Sequence, residues 1–161
     1  GESIRVERWM LGFTAPPMYN DARTFDGPVD RWQLIKWEAP STVTLDIGCA
    51  DADTGAPEGD RSQGISMWSN HIITPETENT THYHWAFARN YKLGDAGVSN
   101  VLAKGGLQTF MEDVVVLERQ QEALDTVGDR AVVDINIDNA PLQFRKILSD
   151  RIAAELEGVA G

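Results

Sequence analysis

The stretch that most constrains this chain is Gly106 to Asp125, GLQTFMEDVVVLERQQEALD. Strong helix formers dominate it, no proline interrupts it and no glycine follows Gly106. It is expected to form a helix of roughly four to five turns. Phe110, Leu117 and Leu124 recur at seven-residue spacing, with Asp113 and Gln120 between them on the same face. Asp113 follows Phe110 by three positions and precedes Leu117 by four, which puts a carboxylate on a face expected to look inward. A charge there is costly unless it is paired, hydrogen-bonded or bound to a cation. Val114, Val115 and Val116 widen the apolar surface, so the spacing also allows Asp113 to lie at a boundary and meet water or an arginine.

The segments before this helix alternate with period two, the signature of strands. Ile4 to Phe13 places Ile4, Val6 and Met10 on one face and Trp9, Leu11 and Phe13 on the other. Ala15 to Gly27 has the proline, asparagine and glycine content of a loop. Trp32 to Trp37 and Thr42 to Cys49 are further strands, followed by a long polar loop from Asp51 to Gln63, a candidate for mobility. Gly64 to Ile73 and Thr80 to Tyr91 form a hairpin across TPETEN. Its second arm carries Tyr83, Trp85 and Phe87 on one face and His82, His84, Ala86 and Ala88 on the other. Val132 to Ile137 reads as a short strand or extended segment. Asp138 or Asn139 then caps a final amphipathic helix marked by Leu142, Ile147, Leu148, Ile152 and Leu156. Antiparallel strands followed by helices define an α+β class. A curved sheet wrapping the long helix would enclose a cavity into which Asp113 projects.

Length and composition exclude several functions. A chain of 161 residues is expected to form one domain, and its net charge of -11 has no basic cluster to set against it. Nucleic acid and anionic membranes are therefore poor partners. No apolar run approaches a bilayer span and no signal peptide opens the chain, so a cytoplasmic setting fits. Gly1-Glu2-Ser3 leads straight into strand-like sequence without an initiator methionine, which suggests a processed or truncated product. Cys49 is the only cysteine, so neither an intrachain disulfide nor a thiolate metal site is available. His82 and His84 lie two apart on one strand face, as in metal sites of small β-barrels, but further ligands are not evident. The direction of His71, in Ser69-Asn70-His71, depends on a register the sequence does not supply.

Three blocks taken together resemble one family. They are His71 to Tyr83 (HIITPETENTTHY) continuing to Phe87-Ala88-Arg89-Asn90; Phe110-Met111-Glu112-Asp113 with Val116 to Gln121 (VLERQQ); and Asn136-Ile137-Asp138 with Pro141 to Arg145 (PLQFR). The pattern resembles the C-terminal catalytic region of Rieske non-haem iron oxygenases, in the branch of vanillate O-demethylase and dicamba monooxygenase. The likeness is good from about Gly64 to Glu155 and loose from Ile4 to Cys49. It implies a helix-grip (START-like) fold, a curved antiparallel sheet packed on a long C-terminal helix and here incomplete at its N-terminus. It also implies a mononuclear Fe(II) held by two histidines and one carboxylate. Asp113 matches that carboxylate by its place in Phe-x-Glu-Asp. His71 matches a substrate-contacting position, beside Asn70. Trp9, Met10 and Phe110 are expected pocket walls.

The departures matter equally. The family's iron-binding histidines come as His-x4-His, which is absent here, as are the Cys-x-His and Cys-x2-His motifs of the Rieske [2Fe-2S] cluster. Residues 1–161 are therefore expected to be the C-terminal part of the catalytic domain, without tightly bound metal of their own. In the intact enzyme the resemblance implies O2 and an aromatic acid as substrates, a reductase using NAD(P)H, a homotrimer, and demethylation or ring hydroxylation as the reaction. Two rivals remain at this point. One is a stand-alone helix-grip domain that binds a hydrophobic or aromatic ligand without redox chemistry. The other is a cupin-like metalloenzyme using His82 and His84.

Overall fold

The computed structural model describes residues 3–20, 22–127 and 135–159. Five strands, β1 (Ser3–Phe13), β2 (Val29–Glu38), β3 (Thr42–Asp51), β4 (Ile65–Pro75) and β5 (Thr81–Arg89), make one antiparallel sheet in sequence order. The short helix α1 (Pro17–Asn20) follows β1, and α2 (Ala96–Val127) follows β5. A 3-10 turn (Asn136–Asp138) leads into α3 (Asn139–Val159). The α+β class and all five strands expected from periodicity are present. The chain divides into two compact units: one holds the sheet and α3 (Gly1–Leu93, Ile137–Gly161), the other α2 (Gly94–Asn136).

Pairing register decides what each face of the sheet carries, since directly opposed residues share a face. Ile4, Trp37, Val43, His71 and Trp85 form one row across all five strands. Two residues along, Val6, Ile35, Leu45, Ser69 and Phe87 form the next row of this face. The other face begins with Arg5, Lys36, Thr44, Asn70 and Ala86. The first face is the apolar one. The ring of Phe144 on α3 meets Trp37 edge-on at 4.6 Å, so α3 covers the β1–β2 end of it.

Two cores form, one on each face. On the apolar face, Ala15, Tyr19, Val29, Cys49 and Ile65 are buried together, with Phe25 and Tyr91 against them. Tyr19 explains α1, which the proline-rich sequence presented as loop. Pro17 suits the first turn of a helix, and four residues suffice to turn the phenol inward, where it is fully buried. On the reverse face Trp32, Ala50 and Ala56 are buried beside Trp9 and Leu34. Ala56 comes from the loop between β3 and β4, so this polar segment is packed onto the sheet. Arg61 lies 5.4 Å over the Trp32 ring and donates to Asp46 at 2.5 Å, while Trp32 Nε1 donates to the same carboxylate at 2.9 Å.

The helices differ from expectation at their starts. α2 begins ten residues before Gly106, because the Asp95 carboxylate accepts from Val98 N at 3.1 Å and caps it. Of the expected extended segment Val132 to Ile137, residues 132–134 lie outside the described ones, and Asn136–Asp138 turns as a 3-10 helix instead. That turn runs directly into α3, whose proline at position 141 falls in its first turn.

Candidate functional site

β4 alternates, and the alternation sorts the candidate residues. His71 stands on the apolar face and is half-buried, opposite Trp85. Ser69, two residues earlier on the same face, is 4% exposed, and its Oγ lies 2.7 Å from His71 Nε2. Tyr83 is paired with Ile73, one step diagonally from His71 on the neighbouring strand. Its ring stacks on the imidazole at 5.8 Å and 13°, and its hydroxyl lies 2.5 Å from Nδ1. Burial pushes the His71 pKa down, so the neutral ring is favoured. The result is a neutral imidazole with both nitrogens engaged, set among Val43, Trp85 and Phe87 of an apolar face. Such a group can hydrogen-bond a polar substituent on an otherwise apolar ligand.

The other residues singled out in the sequence do not all join it. Asn70 faces the reverse side, where its Oδ1 accepts from Thr44 Oγ1 at 2.9 Å. Trp9 is also on that side, its ring 5.8 Å from Trp32. Met10 shares the His71 face, but in the row of Arg31, Cys49 and Ile65. That row is three steps away, roughly 20 Å along the strands. Phe110 and Asp113 lie one turn apart on α2, the phenylalanine half-buried and the aspartate exposed. Among the described residues no α2 side chain is buried. Ser69 and Tyr83 are the partners that sequence reasoning missed. The two-residue spacing of Ser69 from His71 was a usable signal, whereas Tyr83 required the hairpin register.

His82 and His84 occupy the exposed face of β5 with ring centroids 6.2 Å apart, and His82 Nε2 is 3.4 Å from Glu76. A mononuclear iron of the two-histidine, one-carboxylate kind needs three side chains converging on one point. Among the described residues no group of three or more His, Cys, Asp and Glu side chains is so placed. Asp113 suits the carboxylate position of such a set, but the residues present do not complete it. With one cysteine, they do not fit an iron–sulfur cluster either. Hollows of about 560 Å³ beside Arg23, Asp26 and Asp51, and of about 370 Å³ between β1 and the start of α3, include none of the candidate residues. No helix among the described residues is long and apolar enough to cross a membrane.

A similar fold occurs in an oxygenase. Dicamba monooxygenase bound to 3,6-dichlorosalicylic acid is similar with a TM-score of 0.81 and 26% identity, over 97% of this chain and 46% of that one. Its structure with non-heme iron and dicamba gives a TM-score of 0.71 and 25% identity, over 99% and 48%. The likeness supports the helix-grip class. The chain belongs to the vanillate O-demethylase oxygenase C-terminal domain family, whose model matches residues 1–154. Its relatives include the iron-sulfur subunit of the toluene-4-sulfonate monooxygenase system of Comamonas testosteroni, 34% identical over 98% of this chain and 46% of the relative. The vanillate O-demethylase oxygenase subunit of a Pseudomonas species is 32% identical over 96% and 49%. The chain thus spans about half the length of the curated relatives it matches. The family resemblance read from the three sequence blocks is borne out.

Proposed function

We propose that residues 1–161 form the C-terminal part of the catalytic domain of a Rieske-type oxygenase component, which demethylates or hydroxylates an aromatic acid of the vanillate kind. The observation that carries this reading is the family match over residues 1–154, together with relatives that are oxygenase components of multicomponent systems. In the full-length protein a mononuclear iron would supply oxygen activation, and a Rieske cluster would deliver electrons from an NAD(P)H-dependent reductase.

Within this chain Asp113 would hold the iron as its carboxylate ligand, with the two histidines contributed by another part of the protein. Its exposure on α2 leaves the oxygens open to a metal, whereas Glu112, one residue earlier, points elsewhere around the helix. Phe110, one turn before Asp113, offers an aromatic wall. His71 orients the ligand through a hydrogen bond to its carboxylate or ether oxygen, and Met10 adds apolar surface on the same face of the sheet. Asn70 and Trp9 support that face from behind, through Thr44 and Trp32. A cytoplasmic homotrimer completes the reading.

The test is Asp113→Ala in the full-length protein. It should lose mononuclear iron by metal analysis while the iron–sulfur absorption stays, and iron retained at the wild-type level would overturn the ligand role. His71→Ala in the same protein should raise KM for the aromatic acid with iron content unchanged.

A further inference from the structure

We infer that Ser69 and Tyr83 play opposite parts at His71: Ser69 anchors the imidazole, and the Tyr83 hydroxyl occupies the position on Nδ1 that a ligand oxygen takes over. Both ring nitrogens are engaged, Nε2 by Ser69 at 2.7 Å and Nδ1 by Tyr83 at 2.5 Å. A phenol is a much stronger proton donor than an aliphatic hydroxyl. Tyr83 therefore donates to Nδ1, and Nε2–H donates to Ser69 Oγ. A new hydrogen bond to the ring forms only by replacing one of these hydroxyls. The two differ in freedom to yield. Ser69 is 4% exposed, on β4 between two paired strands, whereas Tyr83 is 40% exposed on an edge strand. The tyrosine is the one that leaves.

Ser69 also lets the ring accept either kind of ligand group, because a hydroxyl both donates and accepts. A carboxylate arriving at Nδ1 needs a proton there. The ring then carries its proton on Nδ1, and Ser69 turns to donate to Nε2. The ligand-free protein thus holds His71 in one orientation without leaving a buried nitrogen unpaired.

The hydrogen bonds stand by themselves, while the displacement rests on the reading of His71 as a ligand contact. The two are tested separately. In 15N spectra of ligand-free protein labelled at histidine, Nε2 should be the protonated nitrogen. Tyr83→Phe should move the Nδ1 resonance, and Ser69→Ala the Nε2 resonance. A proton on Nδ1, or no shift in Tyr83→Phe, overturns the arrangement. In the full-length protein, binding of vanillate should tighten about 2- to 10-fold in Tyr83→Phe and weaken by a similar factor in Ser69→Ala, one ordinary hydrogen bond in each direction. Weaker binding in both variants overturns the displacement and makes Tyr83 a support. Unchanged binding in His71→Ala overturns the displacement together with the contact role of His71, and the ligand-free hydrogen bonds are then judged on the spectra alone.

Discussion

Gly48 is defined by what stands over it. A Cβ built there would press on the Trp32 ring and on the carbonyl oxygen of Ile65, closer than real Cβ atoms approach. The carbonyl is backbone and the indole is fully buried, so neither yields easily. Gly48→Ala should destabilise the fold by about 1–3 kcal/mol, the usual range for overpacking, read as a lower urea midpoint at unchanged slope. Nothing in the residues around position 48 announces this, because the clashes come from Trp32 and Ile65, sixteen and seventeen positions away. His71 and Asn70 show the same limit. The sequence makes them neighbours, and pleating sends them to opposite faces, so only register separates a ligand contact from a support. Asp113 shows a further limit: helical spacing marked it as an acid on a face expected to look inward, whereas it is exposed and no α2 side chain among the described residues is buried, so its proposed role rests on the family pattern alone.

At the level of elements, the hairpin was readable because its alternation is strong and TPETEN interrupts it cleanly. The start of α2 was hidden by Gly97, Gly105 and Gly106, which lower helix propensity, and the capping role of Asp95 was the signal that outweighed them. The segment between β3 and β4 was harder, for its composition suggests a solvated loop while Ala56 and Arg61 pack it onto the sheet. Its ends are tied by Ala52 N donating to the Pro28 carbonyl and Arg23 donating to the Gln63 carbonyl. Asp46 receives both the Trp32 indole and Arg61, with its side chain 15% exposed. Arg61→Ala would leave that carboxylate with the indole and remove the cation over the ring. The expected loss is about 1–2 kcal/mol, kept modest by solvent at the arginine, together with faster protease cleavage between residues 52 and 63. Cleavage at the wild-type rate would show that the Arg61–Asp46 pair does not fasten the segment.

For the molecule as a whole, Cys49 provides a single internal reporter. It is fully buried in the core of the apolar face, and burial pushes its thiol up to about 11, against the pull of Arg23 and Arg31. The native protein should therefore be inert to thiol reagents at neutral pH and become reactive only as the sheet opens, in step with loss of circular dichroism. Reaction well before that loss would reveal local opening around α1. The class was legible in the alternation followed by helices, and the family in three ordered blocks. The division into two compact units was not legible, since the length of the chain argued for one domain. The alternation along β4 also matters to anyone seeking to change what such a domain recognises. Positions 69, 71 and 73 can be varied as a library against new ligands. Positions 68, 70 and 72 can be varied in a second library selected for thermal tolerance. The best of each can then be combined, because their side chains project from opposite sides of the sheet.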